Sequence, residues 1–182
     1  MPNKVDEDKD FKNFKDYEGI ANDDDAFILS DILPDEDLSE EGRTVIEKSL
    51  FQQIQDLSVS DKIHLARFGA KEVRTILIRD SNRLVQLAVI SSQKITDSEI
   101  LAIANNRQVN EDVLRVIAKN KEWMKTYLIK LALVNNPKTP LSIALKLVAY
   151  LQRKDIAFLA KSKNVSRAIA QVAARKISGE KY

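Results

Sequence analysis

The stretch that decides the fold is residues 83–94, RLVQLAVISSQK, because it recurs 44 residues later as residues 127–138, YLIKLALVNNPK. The two segments align without gaps, with four identities in twelve positions and conservative apolar exchanges at three more. Similarity at a fixed interval of 20 to 50 residues is the signature of a repeat architecture. We therefore interpret this part of the chain as an internal repeat.

Three apolar trios accompany the aligned segments and have the i, i+3, i+4 spacing of one helix face. They lie 40 and 43 residues apart and are Val73-Ile76-Leu77, Val113-Val116-Ile117 and Ile156-Leu159-Ala160. An acidic residue, which favours the start of a helix, directly precedes each trio. No glycine occurs in the 109 residues between Gly69 and Gly179, as is typical of helices joined by short polar connections. We expect each trio to face the core.

The pattern predicts three units of three helices. Their expected bounds are 60–69, 70–81 and 82–92; 96–106, 110–120 and 121–135; 139–151, 153–163 and 166–178. Ser60, Thr96 and Ser166 suit N-caps, and Pro140 suits the first helical position. A further helix over 44–56 would cap the N-terminal end. The predicted fold is all-α, a right-handed α-solenoid over residues 44–178, with residues 179–182 as a C-terminal tail.

The net charge of +2 hides a strong division along the chain. Residues 1–50 carry 16 acidic and 6 basic side chains, a net charge of −10, whereas residues 51–182 carry 11 and 23, a net charge of +12. A segment as polar as residues 1–43 buries too little apolar surface to offset the entropy of ordering. We expect an acidic, largely disordered tail joined to a basic domain.

The composition excludes several classes of chemistry. There is no cysteine, so disulfides, thiolate zinc sites and iron–sulfur clusters are ruled out. The single histidine, His64, has no second imidazole for a metal site or a relay, and no nucleophile is identifiable beside it. No window of 18 apolar residues and no apolar signal stretch occurs. We expect a cytoplasmic, monomeric protein that is not an enzyme and uses no cofactor and no metal.

Short helices in triplets with a repeat of 37–44 residues resemble the α-solenoids of the HEAT and armadillo type. The stretch from Asn135 to Pro140, NNPKTP, is similar to the connections of leucine-rich-repeat-variant proteins. The chain departs from the latter because it lacks the cysteines that hold their iron–sulfur cluster, so redox chemistry is not implied. The resemblance covers roughly residues 49–178, and overall the chain is similar to a bacterial family of HEAT-like proteins. It implies a fold but no particular function.

Basic side chains on the second helices and at the junctions form the main candidate site. Stacked units would align them into a stripe that binds an acidic partner or tracks phosphates, unless they only form a solvated face. The candidate interaction surface consists of Arg74, Arg79, Arg83, Arg115, Lys119, Lys121, Trp123, Lys161 and Lys163, with Lys71 beside them.

Polar residues at the predicted helix ends have two interpretations. Asparagine tolerates the left-handed conformation and can close a helix without glycine; alternatively, the asparagines line one groove as a polar ladder. These residues are Asn105, Asn106, Asn120, Asn135 and Asn136. At another junction Asp80 either pairs with Arg79 or Arg83 and stiffens the turn, or belongs to a recognition spot.

The aromatic residues Trp123 and Tyr127 are four apart and are predicted to share a helix face with Leu131. They either fill the core beside Leu128 and Leu131 or, when exposed, anchor a partner. His64 is interpreted as a structural or partly exposed side chain.

The acidic tail contains one apolar motif, Phe27, Ile28, Ile32 and Leu33, which would form a helical stripe if the tail folded on a partner. The functional expectation is a non-enzymatic protein–protein interaction scaffold. A nucleic-acid-binding repeat protein that uses the basic face of residues 51–182 is the alternative.

Overall fold

The computed structural model describes residues 50–179. In this range the chain contains the end of one helix, residues 50–55, followed by nine α-helices, one 3-10 helix and no strand. The α-helices are α1 (Val59–Phe68), α2 (Lys71–Leu77), α3 (Arg83–Ile90), α4 (Asp97–Asn105), α5 (Glu111–Lys119), α6 (Tyr127–Asn135), α7 (Leu141–Val148), α8 (Arg153–Lys161) and α9 (Arg167–Ser178). The prediction of an all-α chain is confirmed for these residues. Of the helix predicted over 44–56, residues 50–55 are helical and residues 44–49 lie outside the described range, as does the whole of the tail over 1–43.

Two sequence signals for helix starts need correction. Ser58, and not Ser60, is the N-cap of α1, with its hydroxyl accepting from the Asp61 N–H; Pro140 is the N-cap of α7 and not its first residue. Thr96 and Ser166 are N-caps as predicted, and Thr96 forms a complete capping box with Glu99. The predicted ends are otherwise within a few residues, as expected where helix ends fray.

The single helix predicted over 121–135 is wrong. Residues Trp123–Lys125 form a 3-10 helix, and Thr126 is extended, with φ −72° and ψ 119°, before α6 begins. The Asn120 side chain accepts from the N–H groups of Glu122 and Trp123, which holds the chain in a turn at this point. Trp123 and Tyr127 therefore do not share a helix face.

The helices pack in three triplets, α1–α3, α4–α6 and α7–α9. In each triplet the first helix packs on the third: α1 on α3, α4 on α6 and α7 on α9. Neighbouring triplets meet through α3 with α5 and through α6 with α7. The core of the last triplet includes a residue of α6 and comprises Val134, Ala144, Val148, Leu151, Ile156, Leu159, Ile169 and Ala173.

The C-terminal carbonyls of the first helix in each triplet receive a side-chain donor from the end of the third helix. Ser92 donates to the carbonyl of Arg67 in α1, at 2.7 Å. Asn136, 44 residues later, donates to the carbonyls of Ala104 and Asn106 at the end of α4, at 2.7 and 2.9 Å. Lys176 donates to the carbonyls of Val148 and Ala149 at the end of α7. Carbonyls at a helix end lack i+4 partners, and in each triplet a side-chain donor binds them. The Val148 carbonyl also accepts from the Leu151 N–H, at 3.3 Å.

A second contact recurs between neighbouring triplets. Arg83, the first residue of α3, pairs with Asp112 in the first turn of α5, with Nη1 to Oδ2 at 2.7 Å. Tyr127, at the aligned position 44 residues later, donates its hydroxyl to Asp155 in the first turn of α8. The acidic residues that precede two of the apolar trios therefore also bind the preceding triplet.

The asparagines that end helices do so without a left-handed backbone, which corrects the prediction. Among the described residues only Gly179 has a positive φ. Asn106, Asn120 and Asn136 are extended, and each accepts through Oδ1 from the N–H two residues later. This side-chain turn replaces glycine because it satisfies a free N–H with no steric cost.

Four connections share one five-residue pattern, with Ser or Asn first and a packed residue fourth. They are 92–96, 106–110, 136–140 and 162–166, and the fourth residues are Ile95, Val109, Thr139 and Val165. Val109 and Thr139 are buried, and the Thr139 hydroxyl has no hydrogen-bond partner among the described residues. The fourth position is therefore an apolar environment, and Thr139 places a hydroxyl there.

The apolar trios face the core only in part. Val73, Leu77, Val113, Ile117, Ile156 and Leu159 are buried, whereas Ile76, Val116 and Ala160 are partly exposed. In α5 Leu114 is fully buried and takes the place expected for Val116. Two leucine pairs are identical in the aligned segments. Leu84 and Leu128 are both exposed, the latter to 54%, whereas Leu87 and Leu131 are partly buried. Within residues 50–179, no helix has the length and apolar character needed to cross a bilayer.

Candidate interaction groove

A concave feature with a volume of about 440 Å³ lies between α2 and α4. This value is within the range of about 300–1,000 Å³ typical of ligand pockets. We call it the α2–α4 groove. Its lining comes from α2 and the turn after it, from α3, and from α4 with the connection after it: Lys71, Arg74, Thr75, Ile78, Arg79, Val89, Ser98, Glu99, Ala102, Ile103, Asn106 and Gln108.

A buried ion pair joins the two walls of the groove. Arg74 of α2 is 4% exposed and Glu99 of α4 is 7% exposed. The guanidinium donates Nε to Oε1 at 2.8 Å and Nη2 to Oε2 at 3.0 Å, the two-point geometry that suits arginine and carboxylate. It also donates to the carbonyls of Gly69 and Lys94. The hydrogen bonds of the Arg74 guanidinium are therefore all to groups within the fold.

Glu99 is held in its charged form. Burial alone would raise its pKa, but the hydrogen bonds from Arg74 and Thr96 outweigh burial and lower the pKa from its ordinary value of 4.5. Thr96 contributes both its backbone N–H, at 3.0 Å, and its hydroxyl, at 2.9 Å. The pair contributes no net charge to the groove.

The remaining cations of the groove are Lys71 and Arg79. Both side chains are exposed, and neither has an acidic partner among the described residues. Gln108 is exposed, and its side-chain amide is free in the same part of the chain. Because Glu99 neutralises Arg74, the groove has two positive charges, Lys71 and Arg79, that no acidic side chain within residues 50–179 compensates. Its apolar lining consists of Ile78, Val89, Ala102 and Ile103.

Of the predicted interaction surface, only Arg74 and Arg79 line the groove. Arg74 is a correction, because its buried side chain cannot be part of an exposed cationic surface. Arg83 bonds Asp112, and Arg115 pairs with Glu111 and Asp112 on its own helix. Lys119, Lys121, Lys161 and Lys163 are exposed and Trp123 is partly buried; none of these lines the groove.

The other candidates are structural where they are described. Asp80 pairs with Lys62 at 3.2 Å and accepts from the Asn82 N–H, and not from Arg79 or Arg83 as predicted. His64 is partly buried and contacts the Phe68 ring in a tilted arrangement, with ring centroids 4.9 Å apart and an interplanar angle of 45°. The tail motif Phe27, Ile28, Ile32 and Leu33 lies outside the described residues.

Sequence reasoning missed four polar groove residues, Thr75, Ser98, Glu99 and Gln108, and three apolar ones, Ile78, Ala102 and Ile103. The Thr96-x-x-Glu99 spacing is a capping-box signal that could have placed Glu99 in the first turn of α4. No sequence signal pointed to a partner 25 residues earlier. Among the described residues no group of three or more His, Cys, Asp or Glu side chains could hold a metal ion. Comparison of the chain with protein-family models, curated proteins and solved structures found no match.

Proposed function

We propose that this protein is a non-enzymatic interaction scaffold or adaptor that binds another protein through its helical surface. The single observation that carries the proposal is the α2–α4 groove with its two uncompensated cations, Lys71 and Arg79. Concave surfaces with an apolar floor and a few placed polar groups are where proteins bind ligands. The rigid Arg74–Glu99 pair fixes the spacing of the walls.

The proposal includes a right-handed α-solenoid of three units of the HEAT or armadillo type. Support comes from the recurring contacts: the packing of first on third helix, the donors Ser92, Asn136 and Lys176, and the Arg83–Asp112 and Tyr127–Asp155 bonds. Repeat proteins are stabilised by such nearest-neighbour interfaces and offer extended binding surfaces. In the cell we place the protein in the cytoplasm, as a monomer.

The acidic segment of residues 1–43 has one of two roles in this proposal. It either masks the basic surface or binds a partner through Phe27, Ile28, Ile32 and Leu33. Its composition supports masking, because its charge is opposite to that of residues 51–182.

The test is affinity capture from the native cell with the tagged full-length chain, with and without nuclease. A groove variant, Lys71→Glu with Arg79→Glu, is compared with a control variant, Lys161→Glu with Lys163→Glu, which changes the net charge equally on exposed residues elsewhere. We expect defined proteins that survive nuclease treatment and are lost only with the groove variant. Capture of no protein above the tag-only background contradicts the scaffold.

Nucleic-acid binding is the second candidate, favoured by the net charge of +12 on residues 51–182. Arg83 and Arg115 bond acidic side chains, which leaves fewer cations for phosphates. Loss of all captured material on nuclease treatment, with recovery of nucleic acid before it, would favour this candidate over the scaffold.

A further inference from the structure

We infer that the α2–α4 groove binds an extended acidic peptide segment of a partner protein, with two carboxylates four residues apart and an apolar side chain between them. The inference rests on the proposed function in one respect, that the partner is a protein. Beyond the proposed function, the inference specifies where the partner binds and which side chains the partner must present.

The position of the free cations sets the spacing of the carboxylates. Lys71 is the first residue of α2, and Arg79 lies in the turn two residues beyond its last residue, Leu77. The two cations are eight residues apart, which corresponds to roughly 12 Å at the helical rise of about 1.5 Å per residue. An extended chain rises about 3.3 Å per residue, so residues i and i+4 are roughly 13 Å apart. Because side chains alternate along an extended chain, residues i, i+2 and i+4 point to the same face. One face can therefore present two carboxylates to the cations and one apolar side chain to the groove.

The floor and the opposite wall fit the rest of such a peptide. Ile78, Val89 and Ile103 provide the apolar floor for the central side chain. Asn106 uses Oδ1 for the Gln108 N–H, which leaves its NH₂ group available, and the Gln108 side chain is also free among the described residues. Side-chain amides of this kind can donate to and accept from a peptide backbone.

The same lining disfavours a nucleic acid in this groove. None of the residues that line it is aromatic, so a base would have no stacking platform. Two uncompensated cations also provide few phosphate contacts compared with the many that drive nucleic-acid binding. A carboxylate-bearing peptide matches the two cations, the apolar floor and the side-chain amides of Asn106 and Gln108.

The probe is a fluorescein-labelled nine-residue peptide with two aspartates four residues apart and a leucine midway. It is titrated with the full-length protein by fluorescence anisotropy. The control peptide has both aspartates replaced by asparagine. The protein variants are Lys71→Glu with Arg79→Glu, which reverses the charge, and Ala102→Trp, which fills the groove without changing charge. Their controls are Lys161→Glu with Lys163→Glu, and Ala174→Trp on the exposed side of α9.

We expect each groove variant and the asparagine peptide to weaken binding by about tenfold or more, and each control variant by less than about twofold. Since Lys71, Arg79 and Ala102 are exposed, far-ultraviolet circular dichroism should show unchanged helix content. Equal weakening by both charge variants, or unchanged affinity with Ala102→Trp, overturns the inference, as does stronger displacement by an oligothymidylate than by unlabelled peptide. If affinity capture still recovers proteins while these titrations fail, the scaffold is correct and only the groove assignment is wrong.

Discussion

Replacing Arg74 by methionine tests whether the buried ion pair joins the first two triplets. The substitution removes two hydrogen bonds to Glu99 and one each to the carbonyls of Gly69 and Lys94. Methionine fills much of the vacated volume, so the loss is chiefly electrostatic. Glu99 is left 93% buried with only Thr96 as a donor.

The expected cost is large for a single substitution. Removing one partner of a buried pair leaves an uncompensated charge and costs about 3–5 kcal/mol. This is a large fraction of the total of about 5–15 kcal/mol that stabilises a typical domain. The double variant Arg74→Met with Glu99→Leu leaves no buried charge, so its cost should be smaller than that of either single variant.

The cost should depend on pH in a defined direction. In the native protein the pKa of Glu99 lies below its ordinary value, so its stabilising effect is present above pH 4.5 and is lost as the pH falls below that. In Arg74→Met the effect of burial dominates and raises the pKa, so protonation relieves the penalty as the pH falls. The difference in free energy of unfolding between the native protein and Arg74→Met should therefore be smaller at pH 4 than at pH 7.

The measurement is urea unfolding at both pH values, followed by circular dichroism at 222 nm, for the native protein, both single variants and the double variant. A loss below about 1 kcal/mol at pH 7 would show that the pair does not hold the triplets together. A difference that is the same at pH 7 and pH 4, or a double variant that costs the sum of the two single variants, would refute the electrostatic reasoning.

Three further predictions concern the core and the connections. Thr139→Val should raise the free energy of unfolding by about 1 kcal/mol, because the buried hydroxyl has no partner among the described residues and valine occupies the matching place in another connection; a lower urea midpoint would contradict this. Val113→Asp should cost at least about 3 kcal/mol and Val116→Asp about 1–2 kcal/mol, since only Val113 is fully buried; equal losses in urea melts would reverse the assignment of the inward face. Asn136→Ala removes two bonds to the carbonyls at the end of α4 and should cost about 1–3 kcal/mol, measurable as a shift in thermal midpoint; an unchanged midpoint would mean that these bonds contribute nothing.

Helix positions were predictable because they depend on local pattern. The trio spacing and the absence of glycine place eight of the nine α-helices to within a few residues. The exception, the break at Thr126, depends on the Asn120 side chain accepting two N–H groups, and periodicity carries no information about such a turn. The identity of Leu128 with Leu84 in the alignment suggested a core position for Leu128, but both side chains are exposed.

The groove could be predicted only in part. The density of positive charge drew attention to Arg74 and Arg79, but the charge of a side chain does not reveal whether it is free. Arg74 is neutralised by a glutamate 25 residues later in sequence, and Arg83 by an aspartate 29 residues later. Such pairings depend on how helices stack, and the stacking angle is set by packing of the whole interface, not by any local signal.

The positions of the donors Ser92, Asn136 and Lys176 set the order in which these hydrogen bonds can form while the chain is synthesised. Each arrives at the end of its third helix and satisfies carbonyls of the first helix, about 25 to 32 residues behind it. A nascent chain that has left the ribosome only as far as α5 would leave the carbonyls of Ala104 and Asn106 open, and release of residues up to Asn136 closes them. Because the chain is made from its N-terminal end, we expect these bonds to be completed one triplet at a time. Fragments that end after residue 96 or 140 contain both the carbonyls of each first helix and the side chain that donates to them. Fragments that end inside a triplet contain the carbonyls without the donor.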